Sequence, residues 1–411
     1  HMLPRQGIEV RFAEDDSAGS LAKLVDDKTT AVFCESIGNP AGNVVDIEAL
    51  AEMAHSHGVP LIVDNTVATP ALIKPIAYGA DVVVNSLTKY MGGHGNSLGG
   101  MIVDGGEFPW ADYPEKFHML NEPEESYHGV VYTEAFGPAA FIGRCRVVPL
   151  RNMGSAISPM TSFMALQGIE TLPLRMDRIC ENTLAVARHL QGHDQVEWVR
   201  YAGLPDSEYK ALADKYMGGR ASGILSFGIK GGVEAGTRFI DALKLVTRLV
   251  NIGDAKSLAC HPATTTHRQL GPDELASAGV REDMVRLSIG IEHVDDIIAD
   301  IDQALVAALD LGAAPPGQQA GTHLMGEASF PLLEIKLVLG VDSGVQVVQQ
   351  LLYPSRIGAR VVGDQAGAEL AQRHLGREPQ VLAAPALQRQ APTRGFGLVA
   401  QAADAEPEAQ G

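Results

Sequence analysis

The sequence predicts an α/β fold, in which a large domain with a parallel or mixed β-sheet is followed by a smaller α+β domain. Three apolar runs of strand length, "TTAVFCES", "VPLIVDNT" and "ADVVVNSLTK", follow one another in the first part of the chain. Strands that are apolar on both faces and alternate with helices are typical of a parallel sheet. Much later, the strand-like run "VRLSIGIE" indicates a second sheet and therefore a second domain.

A helix is predicted between the first two strands, in the stretch "DIEALAEMAHSHG". Four apolar residues recur there at the i, i+3, i+4, i+7 spacing of one helix face: Ile47, Leu50, Ala51 and Ala54. Asp46 stands where an N-cap belongs, and Gly58 follows the last periodic residue. A helix between two apolar strands supports the parallel sheet.

Helical patterns dominate the next part of the chain. The long stretch "SPMTSFMALQGIETLPLRMDRICENTLAVARHLQ" is predicted to be helical, with an interruption near Pro173. The strand-like "ASGILSFGIKGG" and the helical "GTRFIDALKLVTRLV" follow, and the regular apolar stripe of "VDDIIADIDQALVAAL" closes this region with a helix. This mixture of elements predicts the smaller α+β domain.

These elements divide the chain into three parts. Residues 1–170 are predicted to form the large domain, residues 171–311 the C-terminal α+β domain, and residues 312–411 a tail with no assignment. The last stretch of the tail, "AQAADAEPEAQG", is predicted to be disordered because it has too few apolar residues to form a core.

Composition restricts the possible functions. The 411-residue chain has 32 Lys and Arg against 50 Asp and Glu, and this net charge of −18 argues against nucleic-acid binding. No apolar run approaches the roughly 18 residues of a membrane helix, and no secretory pattern begins the chain. The cysteines show no CxxC pair or metal-ligand spacing, so we expect buried thiols and no metal site: Cys34, Cys145, Cys180 and Cys260. We therefore predict a soluble, acidic, cytoplasmic protein that does not bind membranes.

Polar side chains close the three predicted strands of the first sheet. They are Asn39 after the first strand, Asp64 at the end of the second, and Ser86, Thr88 and Lys89 at the end of the third. Ligands of parallel α/β sheets bind at the carboxyl edge of the strands, so these side chains are expected to meet in one site.

An aspartate at one strand end and a lysine after the next are the groups that a pyridoxal 5'-phosphate (PLP) site requires. The Lys89 amine can form a Schiff base with the cofactor aldehyde, and Asp64 can keep the pyridine nitrogen protonated. Ser86 and Thr88 can donate hydrogen bonds to the phosphate, and Asn39 can reach the ring hydroxyl. Burial would lower the pKa of Lys89. The 25-residue spacing is one βαβ step and is not specific, so the pattern alone equally allows a solvated lysine beside a turn.

The run "FCESIGNP…VDNTVATP…GADVVVNSLTKYMGGHGNSLGG" closely resembles the Cys/Met-metabolism family of PLP enzymes. This resemblance implies the aspartate-aminotransferase-like architecture, PLP-dependent transferase fold type I. Features of one branch, the O-acetylhomoserine sulfhydrylases, are also present: the insertion "FPWADYPEKFHMLNEPEESYHGVVYTEAFG", then "QGIETLPLRMDR" and "NIGDAKSLACHPATTTH". The resemblance extends from about Leu3 to Leu311.

The resemblance implies a role for each matching residue. Lys89 matches the Schiff-base lysine, Asp64 the carboxylate on the ring nitrogen, Ser86 and Thr88 the phosphate ligands, and Asn39 the residue beside the ring hydroxyl. In the second domain, Arg286 of "VRLSIGIE" matches the arginine that binds the substrate α-carboxylate, and Ser257 of "AKSL" would assist it.

The resemblance also implies a reaction, a γ-replacement of O-acetylhomoserine by sulfide or methanethiol that gives homocysteine or methionine and acetate. O-Succinylhomoserine sulfhydrylase and cystathionine or methionine γ-lyase activity are the alternatives within the family. A homo-oligomer is implied as well, since family members form tetramers built from dimers that share active sites.

The start of the chain departs from the family pattern. Members of the family carry a further segment ahead of the point that "LPRQGIEVRF" resembles. That segment holds a phosphate-binding Ser-Gly loop, a Tyr-x-Arg pair and a stacking tyrosine. We therefore expect residues 1–170 to form an incomplete large domain with an exposed sheet edge. A truncated, non-catalytic homologue or interaction subunit is the alternative of another class.

Overall fold

The structure is a computed structural model, and it describes residues 3–266, 268, 271, 275 and 279–309. All of them belong to the first of two compact units of the chain, residues 1–354. The predicted tail at 312–411 and the disorder predicted at its end lie outside the described residues.

Two β-sheets organise the described residues. Their strands are β1 Val32–Glu35, β2 Leu61–Asp64, β3 Val82–Ser86, β4 Gly100–Asp104, β5 Val196–Arg200, β6 Ile224–Ile229, β7 Thr247–Arg248, β8 Leu258–Cys260 and β9 Met284–Ser288. The first sheet has the order β1-β2-β3-β4, and the second has the order β5-β6-β9-β8-β7. The strands predicted in "TTAVFCES", "VPLIVDNT", "ADVVVNSLTK" and "VRLSIGIE" are therefore confirmed.

The first sheet is mixed. Strands β1, β2 and β3 run parallel, while β4 lies antiparallel to β3, with Ser86 opposite Gly100. Within the described residues β1 is an edge strand, and a cavity of about 770 Å³ lies along it. Glu35 and Asn39 line this cavity as well, so it reaches the strand ends where polar side chains were predicted to meet.

The second sheet is mainly antiparallel. Strand β9 lies between β6 and β8, with Arg286 opposite Ser226 on one side and Cys260 on the other. The short strand β7 pairs in parallel with β8. Arg286 thus occupies the middle strand of its sheet, where the backbone on both sides is hydrogen-bonded and holds the residue in place.

Six helices in the described residues have eight or more residues. They are α1 Ile47–Ser56, α2 Pro159–Glu170, α3 Leu172–Gln191, α4 Lys210–Met217, α5 Gly232–Ala242 and α6 Val294–Leu309. The shorter helical segments are Leu3–Gln6, Ala18–Ala22, Thr69–Leu72, Pro75–Tyr78, Leu87–Met91, Trp110–Asp112, His118–Asn121, Glu125–Tyr127, Tyr132–Phe136, Gly137–Ala139, Ala140–Cys145, Arg146–Leu150, Arg151–Met153 and Pro262–Thr264.

The predicted helix starts and stops are largely confirmed. The Asp46 carboxylate accepts a hydrogen bond from the Ala49 N–H and caps α1, whose buried face is the predicted one. The predicted interruption falls at Thr171, between α2 and α3, and Pro173 is the second residue of α3, where a proline costs no hydrogen bond.

One helix prediction was wrong in its second half. The stretch "GTRFIDALKLVTRLV" is helical only up to Ala242, and its Thr247 and Arg248 form β7. The cause lies on α6, where the buried Asp300 carboxylate accepts hydrogen bonds from the N–H groups of three residues after the helix: Lys244, Leu245 and Val246. A carboxylate supplied from outside the segment thus satisfies donors that a continued helix would have used.

Apolar residues cover both faces of the first sheet. Val63 and Val83 face the larger cluster, which continues through Phe227 of the second sheet to α6. Ile62 and Val82 face a separate cluster built largely from the insertion after β4, with these members: Phe108, Trp110, Phe117, Leu120, Tyr132 and Phe141. Burial on both faces explains why these strands are apolar at nearly every position. No helix in the part of the chain that is described is long and apolar enough to cross a membrane.

Candidate active site

The carboxyl ends of β1, β2 and β3 meet at one edge of the first sheet. Glu35 lies opposite Asp64 in the register of β1 and β2. Thr66 connects the next two strand ends, because its N–H donates to Asp64 Oδ1 at 2.8 Å and its hydroxyl accepts from the Ser86 N–H, also at 2.8 Å. The predicted convergence of Asp64 and Ser86 thus has a physical link in Thr66.

Lys89 lies in the turn Leu87–Met91 that follows β3 directly. Its amine donates a hydrogen bond to Asn251 Oδ1. Burial, and then the positive charge of Arg286, lower the pKa of Lys89 from its ordinary value of 10.5 to about 8. Lys89 is therefore not the solvated surface lysine that its pattern also allowed.

Arg286 connects the second sheet to the ends of the first. It is 3% exposed, and one terminal nitrogen donates to the carbonyl oxygens of Val250 and Asn251 at 2.7 and 3.1 Å. The other donates to Asn39 Oδ1 at 3.1 Å. Its Nε is buried and has no hydrogen-bond partner among the described residues. Leaving such a donor unpaired costs free energy, so it is suited to meet a ligand.

Asn39 lies between the two sheets. Its side-chain oxygen accepts from Arg286, while its N–H donates to Glu35 Oε2 at 3.0 Å. The two contacts fix both the backbone and the side chain of Asn39. The structure therefore joins Lys89, Arg286 and Asn39 into one hydrogen-bonded group through Asn251.

Thr88 and Ser257 are held by other contacts. The Thr88 hydroxyl donates to the Gly99 carbonyl at 3.3 Å and accepts from the Gly99 N–H at 3.1 Å. The fully buried Ser257 hydroxyl donates to Glu292 Oε2 and accepts from the Gly290 N–H, both at 2.9 Å. Thr88 lies next to Lys89 in the chain, whereas the contacts of Ser257 are with the segment after β9.

The segment that carries Asn251 packs closely against the Lys89 turn. Gly253 has a φ of +76°, and a Cβ at this position would lie 2.5 Å from the Tyr90 nitrogen. Its N–H donates to the Ser288 hydroxyl at 3.0 Å. Only glycine fits this position, since both the backbone conformation and the space exclude a side chain.

Two residues that connect the site were not selected from the sequence, Asn251 and Thr66. Asn251 lies in "NIGDAKSL", a motif in which only Ser257 was selected, and Thr66 follows Asp64 in "VDNT". The signal available for both was a short polar side chain within a few residues of an apolar run. For Asn251 that signal was weak, because the preceding residues were taken for a helix.

Comparisons with known proteins identify the family of this chain. The family model described as "Cys/Met metabolism PLP-dependent enzyme" matches residues 1–306, and the chain belongs to this family. It is 48% identical over 307 residues to a homocysteine synthase of Schizosaccharomyces pombe, covering 74% of this chain and 72% of that protein. It is 50% identical over 305 residues to O-acetyl-L-homoserine sulfhydrylase 1 of Thermus thermophilus, covering 74% and 72%.

A solved structure is similar as well. It is a putative O-acetylhomoserine (thiol)-lyase of Campylobacter jejuni that contains N'-pyridoxyl-lysine-5'-monophosphate. The similarity has a TM-score of 0.71 at 39% identity and covers 74% of this chain and 73% of that one. The family resemblance and the fold type I architecture predicted from the motifs are confirmed.

The residues present fit the family's cofactor, PLP. A lysine amine with a lowered pKa, a carboxylate at the neighbouring strand end and a buried arginine with an unpaired Nε lie at adjoining positions. These are the groups that a covalently bound aldehyde, a protonated ring nitrogen and an amino-acid substrate would need. The assignment of each residue to its ligand atom stays a prediction.

Proposed function

We propose that this chain catalyses the PLP-dependent γ-replacement of O-acetylhomoserine by sulfide or methanethiol, with homocysteine or methionine and acetate as products. The observation that carries the proposal is the group formed by Lys89, Asn251 and Arg286, which joins a reactive amine to a carboxylate-binding fork. The names of the relatives at 48% and 50% identity support the choice of substrate.

The cofactor would be held by residues at the three strand ends. Lys89 would bind it covalently, and Asp64 would pair with its ring nitrogen. Ser86 and Thr88 would bind its phosphate, and Asn39 would lie beside its ring hydroxyl. When bound, PLP supplies an electron sink that makes a carbanion at the substrate Cα accessible.

Arg286 would bind the α-carboxylate of the amino acid. Both terminal nitrogens already donate to neutral oxygens, but the one that contacts Asn39 makes a single hydrogen bond and keeps a second N–H. This N–H and the unpaired Nε remain for the substrate. A carboxylate paired with Arg286 is held in a fixed orientation, because a guanidinium donates along defined directions. Ser257, predicted to assist, already bonds to Glu292 and the Gly290 N–H, so it would act by holding the segment after β9 in place.

Lys89 would move the protons. With a pKa of about 8, roughly a tenth of the amine is neutral at pH 7, so Nζ can accept a proton from the substrate Cα and later return it to a carbon of the substrate. Asn251 Oδ1 accepts a hydrogen bond from that nitrogen and restrains it between the two transfers. At Cγ the bond to acetate breaks and the bond to sulfur forms, which balances the reaction.

The test combines spectroscopy with product analysis. The purified chain is incubated with PLP, desalted, and its visible spectrum recorded with and without borohydride reduction. It is then assayed with O-acetylhomoserine, O-succinylhomoserine or cystathionine for homocysteine, acetate and ammonia. We expect a Lys89-dependent band, and homocysteine from the acetyl ester and sulfide.

Two variants make this test specific. Lys89→Ala should lose both the band and turnover. Lys116→Ala should retain both, although burial lowers the pKa of Lys116 too, because this lysine donates to the His57 carbonyl and not to Asn251. Preference for the succinyl ester, or ammonia release without sulfide, would favour the alternative family activities. Absence of the band would leave a non-catalytic homologue as the remaining interpretation of this chain.

We also infer a homo-oligomer in the cytoplasm. Three apolar side chains at i, i+3 and i+6 of α2, Met160, Phe163 and Leu166, are 66%, 58% and 61% exposed. An apolar helix face of this kind is typical of a protein interface. It lies next to the site, since α2 packs against the Lys89 turn. The four cysteines are free thiols, which supports a reducing compartment.

A further inference from the structure

Arg175 is a buried arginine in the first turn of α3, 6% exposed, that contacts the turn carrying Lys89. Its hydrogen bonds end on uncharged oxygens: Nε donates to Thr171 Oγ1 at 3.1 Å, one terminal nitrogen to the Tyr90 carbonyl at 2.7 Å, and the other to the carbonyls of Gly168 at 2.6 Å and Met91 at 3.4 Å. Tyr90 and Met91 directly follow Lys89. The cation therefore binds the backbone of the reactive lysine's own turn.

Burying this charge is costly. Burial lowers the pKa of Arg175, and the charge of Asp254 opposes that change. A buried arginine usually has a carboxylate partner that offsets the loss of hydration. Arg175 instead donates to carbonyls that the Lys89 turn leaves open, because the hydrogen bonds within that turn are accepted by the carbonyls of Leu87 and Lys89. The fork thus satisfies the Tyr90 and Met91 carbonyls of this turn.

The contact between Arg175 and the turn leaves little free space. Gly93 has a φ of +73°, and a Cβ there would lie 2.4 Å from a terminal nitrogen of Arg175. A Cβ on Gly168 would lie 2.3 Å from the Gly92 carbonyl oxygen. Helix α2, helix α3 and the turn are therefore packed too closely for a side chain at Gly93 or Gly168, and the guanidinium lies between them.

We propose that Arg175 is a positioning residue, whose guanidinium fixes the turn after β3 so that the Lys89 amine stays between Asn251 and Arg286. The inference rests on the proposed function, in which Lys89 is the cofactor lysine. The action is geometric, because Arg286 is the charge that acts on Lys89. A lysine in place of Arg175 would keep a positive charge but lose the planar fork that spans Tyr90 and Gly168.

The test uses the full chain with Arg175→Lys, and Thr171→Val as a milder variant that removes only the acceptor of Nε. Arg178→Lys is the matched control, since Arg178 lies on the same helix, is exposed and faces Glu181 at 3.7 Å. The pKa of Lys89 is measured without cofactor by competitive acetylation and peptide mass spectrometry. In parallel, kcat and KM are measured on the PLP-loaded enzyme.

In Arg175→Lys we expect the pKa of Lys89 to rise by about one unit as the amine becomes more hydrated. We also expect kcat to fall about 100-fold with KM changed less than about threefold, as for a misplaced catalytic group. Thr171→Val should give smaller changes in the same direction, and it decides the question if Arg175→Lys does not fold.

Two results separate this inference from the proposed function. An unchanged lysine pKa and kcat in the folded variants, even with a lower melting temperature, would make Arg175 purely structural and overturn the inference. A raised lysine pKa in a chain without sulfhydrylase activity would support the positioning role and overturn the proposed function instead.

Discussion

Lys89 and Asn251 lie 162 residues apart in the sequence, and the Lys89 amine donates a hydrogen bond to the Asn251 side-chain oxygen. The backbone carbonyl of the same asparagine accepts from Arg286 at 3.1 Å. One residue therefore contacts both the amine proposed to move protons and the guanidinium proposed to bind substrate. A displacement of Asn251 would disturb the hydrogen bonds of both groups, so Asn251 is the central residue of the site.

Replacing Asn251 by alanine is expected to lower kcat about 10- to 100-fold, because a hydrogen bond from a charged donor contributes roughly 1.5–3 kcal/mol. Asn251→Asp should instead raise the pKa of Lys89, since a carboxylate favours the ammonium form. Steady-state kinetics across pH measure both effects. Asn152→Ala, at an exposed asparagine, is the control. Wild-type kcat in Asn251→Ala would contradict the proposed restraint of the amine.

Substitutions of Arg286 should separate its two roles. Arg286→Lys keeps the positive charge, so the pKa of Lys89 should stay low, while KM for the amino-acid substrate rises about 100-fold through loss of the fork. Arg286→Met removes the charge as well and should raise the pKa of Lys89. Competitive acetylation gives the pKa and initial rates give KM.

The control for these variants is Arg281→Lys. Arg281 precedes the same strand and pairs with Asp283 at the surface. An unchanged KM in Arg286→Lys would argue that the substrate carboxylate binds elsewhere.

The exposed face of α2 predicts the behaviour of a surface variant. Phe163→Asp should weaken self-association about 30-fold or more, since burying a charge in an apolar interface is costly. Light scattering over a concentration series measures the association. Val306→Asp, at an exposed apolar residue of α6, should leave it unchanged. Equal masses for the wild-type chain and Phe163→Asp at every concentration would show that this face is not the interface.

The elements that were predicted correctly are those whose causes are local. Helix α1 has its cap, its apolar face and its stop within 13 residues of sequence, "DIEALAEMAHSHG". Lys89 and Asp64 were selected because side chains that follow parallel strands meet at the carboxyl edge of the sheet, and their assignment to the cofactor stays a prediction. In both cases the residues that give the prediction lie within the segment itself or directly after its strand.

The missed elements have distant causes. Helix α5 ends at Ala242 because Asp300, 58 residues later, accepts the N–H groups of Lys244 to Val246. Asn251 reaches Lys89 because Gly253 allows its segment to pack on the turn of another sheet. Periodicity within a window carries no information on such contacts, so neither could be predicted from spacing.

Lys89 should make the stability of the cofactor-free protein depend on pH. Its folded pKa, about 8, lies below the ordinary 10.5, so the unfolded chain binds more protons between these values and stability rises with pH there. The difference corresponds to about 3 kcal/mol. Below pH 8 the buried ammonium therefore destabilises the fold, and Lys89→Met should stabilise it, by less than this because the bond to Asn251 is lost.

Urea denaturation followed by circular dichroism at pH 7, 8, 9 and 10 measures this effect. The wild-type midpoint should approach that of Lys89→Met as pH increases, since other titrating groups are common to both proteins and cancel in the difference. Lys74→Met, at an exposed lysine, controls for removal of a surface charge. A constant difference between wild type and Lys89→Met from pH 7 to 10 would mean that Lys89 keeps an ordinary pKa. The amine would then be solvated, and the burial that supports its assignment as the reactive lysine would be wrong.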